Sequence, residues 1–96
     1  MARKTVGFTK TAIAEVPDDK PVVYRILTEG GRNNYTGVAQ RGRVQGRLAE
    51  HLPGAKDPIP GAKVQIEQMD SIAEARAREA AIIAESQPKY NEQGRQ

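Results

Sequence analysis

The chain of 96 residues contains no cysteine and a single histidine, His51. The first absence excludes disulfides, thiolate nucleophiles and cysteine-based zinc sites, and the second excludes metal sites built from several histidines. A metal ion bound by this chain must therefore have oxygen ligands. No segment approaches the roughly 18 apolar residues of a membrane span, and the N-terminal residues lack the apolar stretch of a signal peptide, so we expect a cytoplasmic protein.

Aromatic residues are also scarce: the sequence has three Tyr, one Phe and no Trp. The core must be built from Ile, Leu, Val and Ala, which predicts a small core of modest stability. A length of 96 residues is below that of an average domain and excludes a second catalytic module within this chain. We expect one domain over residues 21–91, an N-terminal arm over residues 1–20 and a C-terminal tail over residues 92–96.

Positive charge is concentrated in one part of the chain. The whole sequence carries a formal net charge of +3, but residues 20–48 contain six basic residues and one acidic residue, so this segment carries +5 and the remainder −2. Arginine predominates in the segment, and its planar guanidinium suits phosphate oxygens. The pattern favours a phosphate-bearing partner, and the alternative is a solvated basic face without a partner.

Local patterns predict three strands and two helices. The β-branched run at residues 21–28, the turn at 29–32 and residues 34–38 form a β-hairpin, and the alternation of residues 62–68 indicates a third strand with one buried face. Val44, Leu48 and Leu52, four residues apart, predict an amphipathic helix over residues 41–52. Ser71 followed by Glu74 is a capping box that begins a helix reaching about residue 86. The order predicts an α+β domain with a small three-stranded antiparallel sheet flanked by helices.

One carboxylate falls on the apolar side of the second helix. On a helical wheel Glu79 lies close to Ile72 and Ile83, so its side chain is expected to point inward. A buried carboxylate must be paired, neutralised or bound to a cation, because burying it alone costs several kcal/mol. A salt bridge to an arginine and a cation site are both open at this point.

Four further polar side chains are expected near the same region. Arg47 and His51 are four residues apart and flank the apolar stripe of the first helix, and the phenols of Tyr24 and Tyr35 lie on the hairpin strands. Together with Glu79 they form a candidate convergent site. The alternatives are a structural histidine and ordinary core tyrosines.

These residues occur in an order typical of one enzyme family. Residues 22–24 read Val-Val-Tyr, residues 35–37 read Tyr-Thr-Gly, and the last helix is followed by Pro-Lys-Tyr-Asn, ending at Asn91. The ordered set is Tyr24, Tyr35, Arg47, His51, Glu79 and Asn91. Over residues 21–91 this arrangement resembles the GIY-YIG nuclease superfamily.

The resemblance implies a stand-alone catalytic domain that hydrolyses DNA phosphodiester bonds with a single divalent cation. Glu79 would hold the ion, Mg²⁺ or Mn²⁺, and Arg47 would bind the scissile phosphate and neutralise charge in the transition state. Tyr24 or Tyr35 would position or deprotonate the attacking water, which requires a phenol pKa lowered by Arg47, His51 and the metal.

Two residues of the ordered set have supporting roles in this scheme. His51 would orient the tyrosine or receive its proton. Asn91 would form hydrogen bonds within the site or cap the end of the last helix. The remaining arginines of the basic segment are too many for catalysis, so we assign them to contacts with the DNA backbone. They are Arg25, Arg32, Arg41 and Arg43.

The sequence departs from the family pattern at three positions. Val22 replaces the glycine of the first motif, Thr36 replaces the isoleucine of the second, and Val38 stands where many relatives have a polar residue. The departures support an alternative, a catalytically inactive nucleic-acid-binding module that keeps the fold. A further alternative is a structural domain in which Glu79 pairs with Arg47. For a nuclease of this size, specificity would come from DNA shape, a partner protein or a homodimer.

Overall fold

The computed structural model describes residues 3–94, and the side chains of residues 3–91. Within this range the strands form one antiparallel sheet in the order β1-β4-β2-β3, with helices on both faces. The elements are β1 (Arg3–Gly7), α1 (Lys10–Ile13), β2 (Val22–Leu27), β3 (Asn33–Ala39), α2 (Val44–Ala49), β4 (Lys63–Gln68), α3 (Ile72–Ser86) and α4 (Lys89–Gly94). The α+β class is confirmed. No helix within the described range is long and apolar enough to cross a membrane.

The hairpin and the third predicted strand are confirmed. β2 and β3 pair antiparallel, with Val22 opposite Ala39 at one end. The turn between them depends on Gly31, whose φ of +95° is in the left-handed region and whose N–H donates to the Thr28 carbonyl at 2.9 Å. β4 pairs antiparallel with the other side of β2, which places Tyr24 opposite Ile66.

The prediction of three strands is wrong, because the N-terminal segment adds a fourth. β1 pairs antiparallel with β4, from Arg3 opposite Glu67 to Gly7 opposite Lys63. The residues after β1 contribute to the core rather than forming a loosely docked arm, and three of their side chains are buried. These are Phe8, Ile13 and Val16. Residues 92–94 of the expected tail belong to α4, and residues 95 and 96 lie outside the described residues.

α2 is shorter than the helix predicted over residues 41–52. Gly42 has a φ of +83°, so the chain turns before the helix begins. The N–H of Val44 donates to Oδ1 of Asp18 at 2.8 Å, which satisfies one of the free amides at the helix start. After α2 the chain continues in turns, and His51 lies in this segment with its side chain buried.

α3 begins as the sequence predicts. The Ser71 hydroxyl accepts a hydrogen bond from the Glu74 N–H at 3.1 Å. The helix ends at Gln87, which has a left-handed φ of +47°. Pro88 follows, and the chain turns back toward the sheet as α4.

The helices lie on opposite faces of the sheet. Val22, Tyr24 and Ile26 of β2 pack with residues of α1 and α2 on one face. Val23 packs with Ala75 and Ile82 of α3 on the other face. Because β3 is the edge strand, α2 and α3 approach its outer edge from opposite sides of the sheet.

Candidate active site

A cleft of about 420 Å³ lies along the C-terminal half of β3, between α2 and α3. Its lining residues are Tyr35, Gly37, Val38, Ala39, Gln40, Arg43, Arg47, Ile72, Arg76 and Glu79. Three of the predicted site residues, Tyr35, Arg47 and Glu79, therefore share one cleft. The lining includes three arginines and one carboxylate, a balance that favours an anionic ligand.

Tyr24 and His51 form a buried pair next to this cleft. The Tyr24 hydroxyl lies 2.9 Å from Nε2 of His51. The other ring nitrogen, Nδ1, lies 2.9 Å from the backbone carbonyl oxygen of Asp57. A carbonyl only accepts, so Nδ1 carries the hydrogen, and in this tautomer Nε2 accepts from the Tyr24 hydroxyl. The ring of Tyr35 packs on the same pair, with its centroid 4.9 Å from that of His51.

Gly37 allows the two tyrosines to come together. It lies directly opposite Tyr24 in the register of β2 and β3. A Cβ atom at this position would be 2.6 Å from the Tyr24 hydroxyl oxygen and 3.0 Å from Cε2 of Tyr35. The glycine of the second motif is therefore required by the close approach of the Tyr24 ring, a role that the sequence analysis did not identify.

The pKa of Tyr24 does not follow the sequence prediction. Burial raises it above the ordinary value for tyrosine, and the neighbouring Tyr35 raises it further. The Arg47 guanidinium lowers the pKa by its charge and by a hydrogen bond, but desolvation outweighs it. The residues of this chain that surround Tyr24 therefore raise its pKa rather than lower it, and its hydroxyl donates to His51.

Arg47 and Glu79 reach the site from opposite faces of the sheet. The Arg47 side chain is 41% exposed, and its Nη1 lies 3.8 Å from Oε1 of Glu50. Glu79 is partly buried near the middle of α3, and its charge also raises the pKa of Tyr24. The charges of both side chains thus act on the buried hydroxyl of Tyr24. This agrees with the inward orientation that the sequence predicts for the two side chains.

Glu79 is the only carboxylate among the described residues that line this cleft. Among the described residues, no three His, Asp or Glu side chains are close enough together to hold a metal ion. A cation here would be bound by one carboxylate, with water and substrate oxygens completing its coordination. Mg²⁺ fits this donor set, because it commonly binds one or two carboxylates and keeps several waters.

Asn91 lies at the edge of β3 and does not line the cleft. Its Oδ1 accepts from the Thr36 N–H at 2.7 Å, and its Nδ2 donates to the Thr36 carbonyl at 2.8 Å. The buried amide thereby joins α4 to the strand that carries Tyr35 and Gly37. Asn91 was expected to form hydrogen bonds within the site or to cap the last helix, but both of its hydrogen bonds are made to the backbone of β3 outside the lining of the cleft.

The four arginines assigned to DNA contacts occupy different places. Arg43 lines the cleft, and Arg41 and Arg32 are exposed. Arg25 projects toward the α3 face, where its Nη1 lies 2.6 Å from Oε1 of Gln65. Burial lowers the pKa of the Arg25 guanidinium. The structure therefore places Arg25 partly buried on the α3 face, and Arg25 does not line the cleft.

Glu67 is a buried carboxylate that the sequence analysis missed. Its side chain is 4% exposed and lies within 4 Å of three guanidinium groups, those of Arg3 at 3.5 Å, Arg25 at 3.7 Å and Arg78 at 3.4 Å. β4 was expected to bury only one face, but these arginines and α3 cover the other. The arginines come from distant parts of the chain, so no local pattern indicates the cluster.

No model of a known protein family matches the chain, and no curated protein is significantly similar to it in sequence. The resemblance to GIY-YIG nucleases therefore rests on the six ordered residues and stays a prediction. The structure adds a spatial relationship to that prediction. Tyr35, Arg47 and Glu79, which are separated in sequence, line a common cleft, with Tyr24 and His51 packed beside it.

Proposed function

We propose that this protein is a metal-dependent endonuclease of the GIY-YIG type that hydrolyses DNA phosphodiester bonds in the cleft beside β3. The observation that carries the proposal is the convergence of Tyr35, Arg47 and Glu79 on one cleft. Phosphodiester hydrolysis needs a positioned water, positive charge on the phosphate and stabilisation of the leaving oxygen. Tyr35 is suited to positioning the water, and Arg47 is suited to placing positive charge on the phosphate. Glu79 is a ligand for a cation that stabilises the leaving oxygen.

Glu79 is assigned to hold Mg²⁺ or Mn²⁺ together with water and phosphate oxygens. When bound, the cation supplies positive charge to the phosphate and to the leaving 3′ oxygen. Arg76 and Arg43 line the same cleft, and they offset the negative charge of a DNA backbone that approaches Glu79.

Arg47 is assigned to the scissile phosphate. Its guanidinium keeps its charge at any working pH and presents a planar set of donors to phosphate oxygens. Arg47 lines the cleft, and its guanidinium lies close enough to Tyr24 for its charge to lower the pKa of that phenol. Negative charge that builds up on the phosphate during attack is therefore met by a donor already in place.

Tyr35 is the better candidate for the residue that contacts the attacking water. It lines the cleft, whereas Tyr24 is fully buried and donates its hydroxyl hydrogen to His51. We assign the positioning or deprotonation of the water to Tyr35, and the support of Tyr35 to Tyr24 and His51. Attack of the water on phosphorus, with departure of the 3′ oxygen, leaves a 5′-phosphate and a 3′-hydroxyl.

A second candidate function is an inactive nucleic-acid-binding module with the same fold. The observation that favours it is that Tyr24, one of the two candidate bases, is fully buried and does not line the cleft. Val22 and Val38, which depart from the family motifs, point in the same direction. The basic cleft would then bind a DNA backbone without cutting it.

A cleavage assay separates the two functions. The purified wild-type protein is incubated with supercoiled, branched and single-stranded DNA, with Mg²⁺ or Mn²⁺ and with a chelator as the control. A nuclease cuts at least one of these forms and stops when the cation is removed. If the protein binds DNA in a salt-dependent manner and cuts none of the forms, the binding module replaces the nuclease.

A further inference from the structure

A second cleft, of about 380 Å³, opens between the hairpin turn and the start of α4. Its lining residues are Thr28, Gly30, Arg32, Asn34, Lys89 and Tyr90. The described side chains that line it carry two positive charges and no negative charge. None of these residues lines the cleft that contains Glu79.

Each of the two basic side chains of this cleft lies beside a part of the structure that is held in place. The Arg32 N–H donates to the Thr28 hydroxyl at 3.0 Å, and the Thr28 N–H donates to the Arg32 carbonyl at 2.9 Å, so the turn is closed in both directions. Lys89 Nζ lies 5.6 Å from the centroid of the Tyr90 ring, which itself packs against the core. A cation above a packed ring is held by cation–π attraction and keeps its hydrogens free for a ligand.

The two clefts lie along the same edge strand. Asn34 lines the second cleft, and Tyr35, the next residue of β3, begins the lining of the first cleft, which continues to Ala39 at the end of the strand. These lining residues are one to five positions from Asn34, which is at most about 17 Å along the strand at about 3.3 Å per residue. One strand of B-form DNA advances about 3.4 Å of helix axis per nucleotide, so a DNA strand that lies along β3 covers this distance in at most about five nucleotides.

We infer that the second cleft binds a phosphate of the same DNA strand within about five nucleotides of the scissile bond, with Arg32 and Lys89 as its ligands. The inference rests on the proposed function for the substrate and extends it to a site outside the catalytic cleft. Phosphate contacts of this kind set the register of the strand and carry no base information. A substrate that reaches both clefts is thereby aligned along β3, with Arg47 at one phosphate and Arg32 and Lys89 at another.

The first test compares two double variants that remove equal charge. Arg32→Ala with Lys89→Ala removes both ligands, and Lys10→Ala with Lys56→Ala removes two exposed charges that line neither cleft. DNA binding is measured at several salt concentrations. The first pair should flatten the plot of log affinity against log salt by up to about two units of slope, and the control pair should leave it unchanged. Equal slopes for the two double variants contradict the inference.

The second test locates the DNA directly and uses the absence of cysteine from the chain. A Lys89→Cys variant carrying an iron-EDTA label produces hydroxyl radicals next to the second cleft, and a labelled Lys56→Cys variant is the matched control. The Lys89 label should cut the DNA backbone within about five nucleotides of the site of enzymatic hydrolysis, and the Lys56 label should not. If the enzyme hydrolyses DNA but both labels give the same pattern, the second site is wrong and the nuclease proposal stands.

The remaining outcomes separate the two proposals further. DNA that is cut locally by the Lys89 label, but never hydrolysed by the wild-type protein, supports the second site and contradicts the nuclease. A protein that neither binds nor cuts DNA contradicts both.

Discussion

The hydroxyl of Tyr24 donates to Nε2 of His51 across 2.9 Å, in a buried contact between residues 27 positions apart. The contact joins β2 to the segment that follows α2. The Asp57 carbonyl holds the opposite ring nitrogen and so fixes which nitrogen accepts. The hairpin that carries both tyrosines is thus connected, by a hydrogen bond with a defined donor, to the segment that follows the helix of Arg47.

The raised pKa of Tyr24 predicts a loss of stability in alkaline solution. A folded-state pKa above that of the unfolded chain means that the folded protein holds its proton longer, so the stabilising effect is complete below about pH 10 and is lost as the pH rises above that value. The free energy of unfolding of the wild type should therefore fall more steeply above about pH 10 than that of Tyr24→Phe. Parallel curves for the two proteins contradict the burial of an ionisable group at this position.

Gly37→Ala should destabilise the protein by about 1–3 kcal/mol, because the added methyl group overlaps the Tyr24 hydroxyl and the Tyr35 ring. Gly46→Ala is the matched control: it lies within α2 with no atom close to a new Cβ, and it should raise stability by about 0.5–1 kcal/mol. Chemical denaturation of the two variants measures both effects. Similar changes in the free energy of unfolding of the two variants would show that the Tyr24 ring does not lie against Gly37.

Asn91→Ala should lower stability by about 1–3 kcal/mol, because it removes both hydrogen bonds to Thr36 and leaves a backbone N–H without its acceptor. The thermal midpoint and the single-turnover cleavage rate are both measured, the rate at a temperature at which the variant is folded. A lower midpoint with a nearly unchanged rate supports a structural role. A large loss of rate in a protein of normal stability would assign Asn91 to the chemistry instead.

Arg47→Ala should lower the single-turnover cleavage rate far more than the affinity for DNA, because the guanidinium is assigned to charge that develops in the transition state. Arg41→Ala with Arg43→Ala should show the opposite pattern, with weaker binding to unrelated sequences and a salt slope reduced by up to about two units. Binding and cleavage are compared for the same DNA. If both variants lost cleavage rate and DNA affinity in the same proportion, Arg47 would be another contact with the DNA backbone.

The elements that the sequence predicts are those specified by local signals. α3 begins at the Ser71 cap and carries Glu79 toward the interior, and the turn at Gly31 closes the hairpin where the glycines predict it. Each of these features depends on residues within a few positions of one another, so the side-chain types alone identify them.

The features that the sequence does not reveal depend on contacts between distant residues. β1 has a single large apolar residue, Val6, and becomes a strand because β4 offers a free edge to pair with. The burial of Glu67 depends on three arginines from three other elements. The need for glycine at position 37 depends on its partner across the hairpin, Tyr24, and on the ring that fills the space.

The role of Glu79 is the central claim, and one pair of variants tests it most directly. Glu79→Gln removes the charge that would hold the cation while keeping the size of the side chain, and Glu85→Gln makes the same change at an exposed position of α3 that does not line the cleft. Single-turnover cleavage with Mg²⁺ and DNA binding are measured for both. The account predicts that Glu79→Gln abolishes cleavage with its fold and DNA binding intact, and that Glu85→Gln cuts at the wild-type rate. Cleavage by Glu79→Gln at the wild-type rate would contradict it.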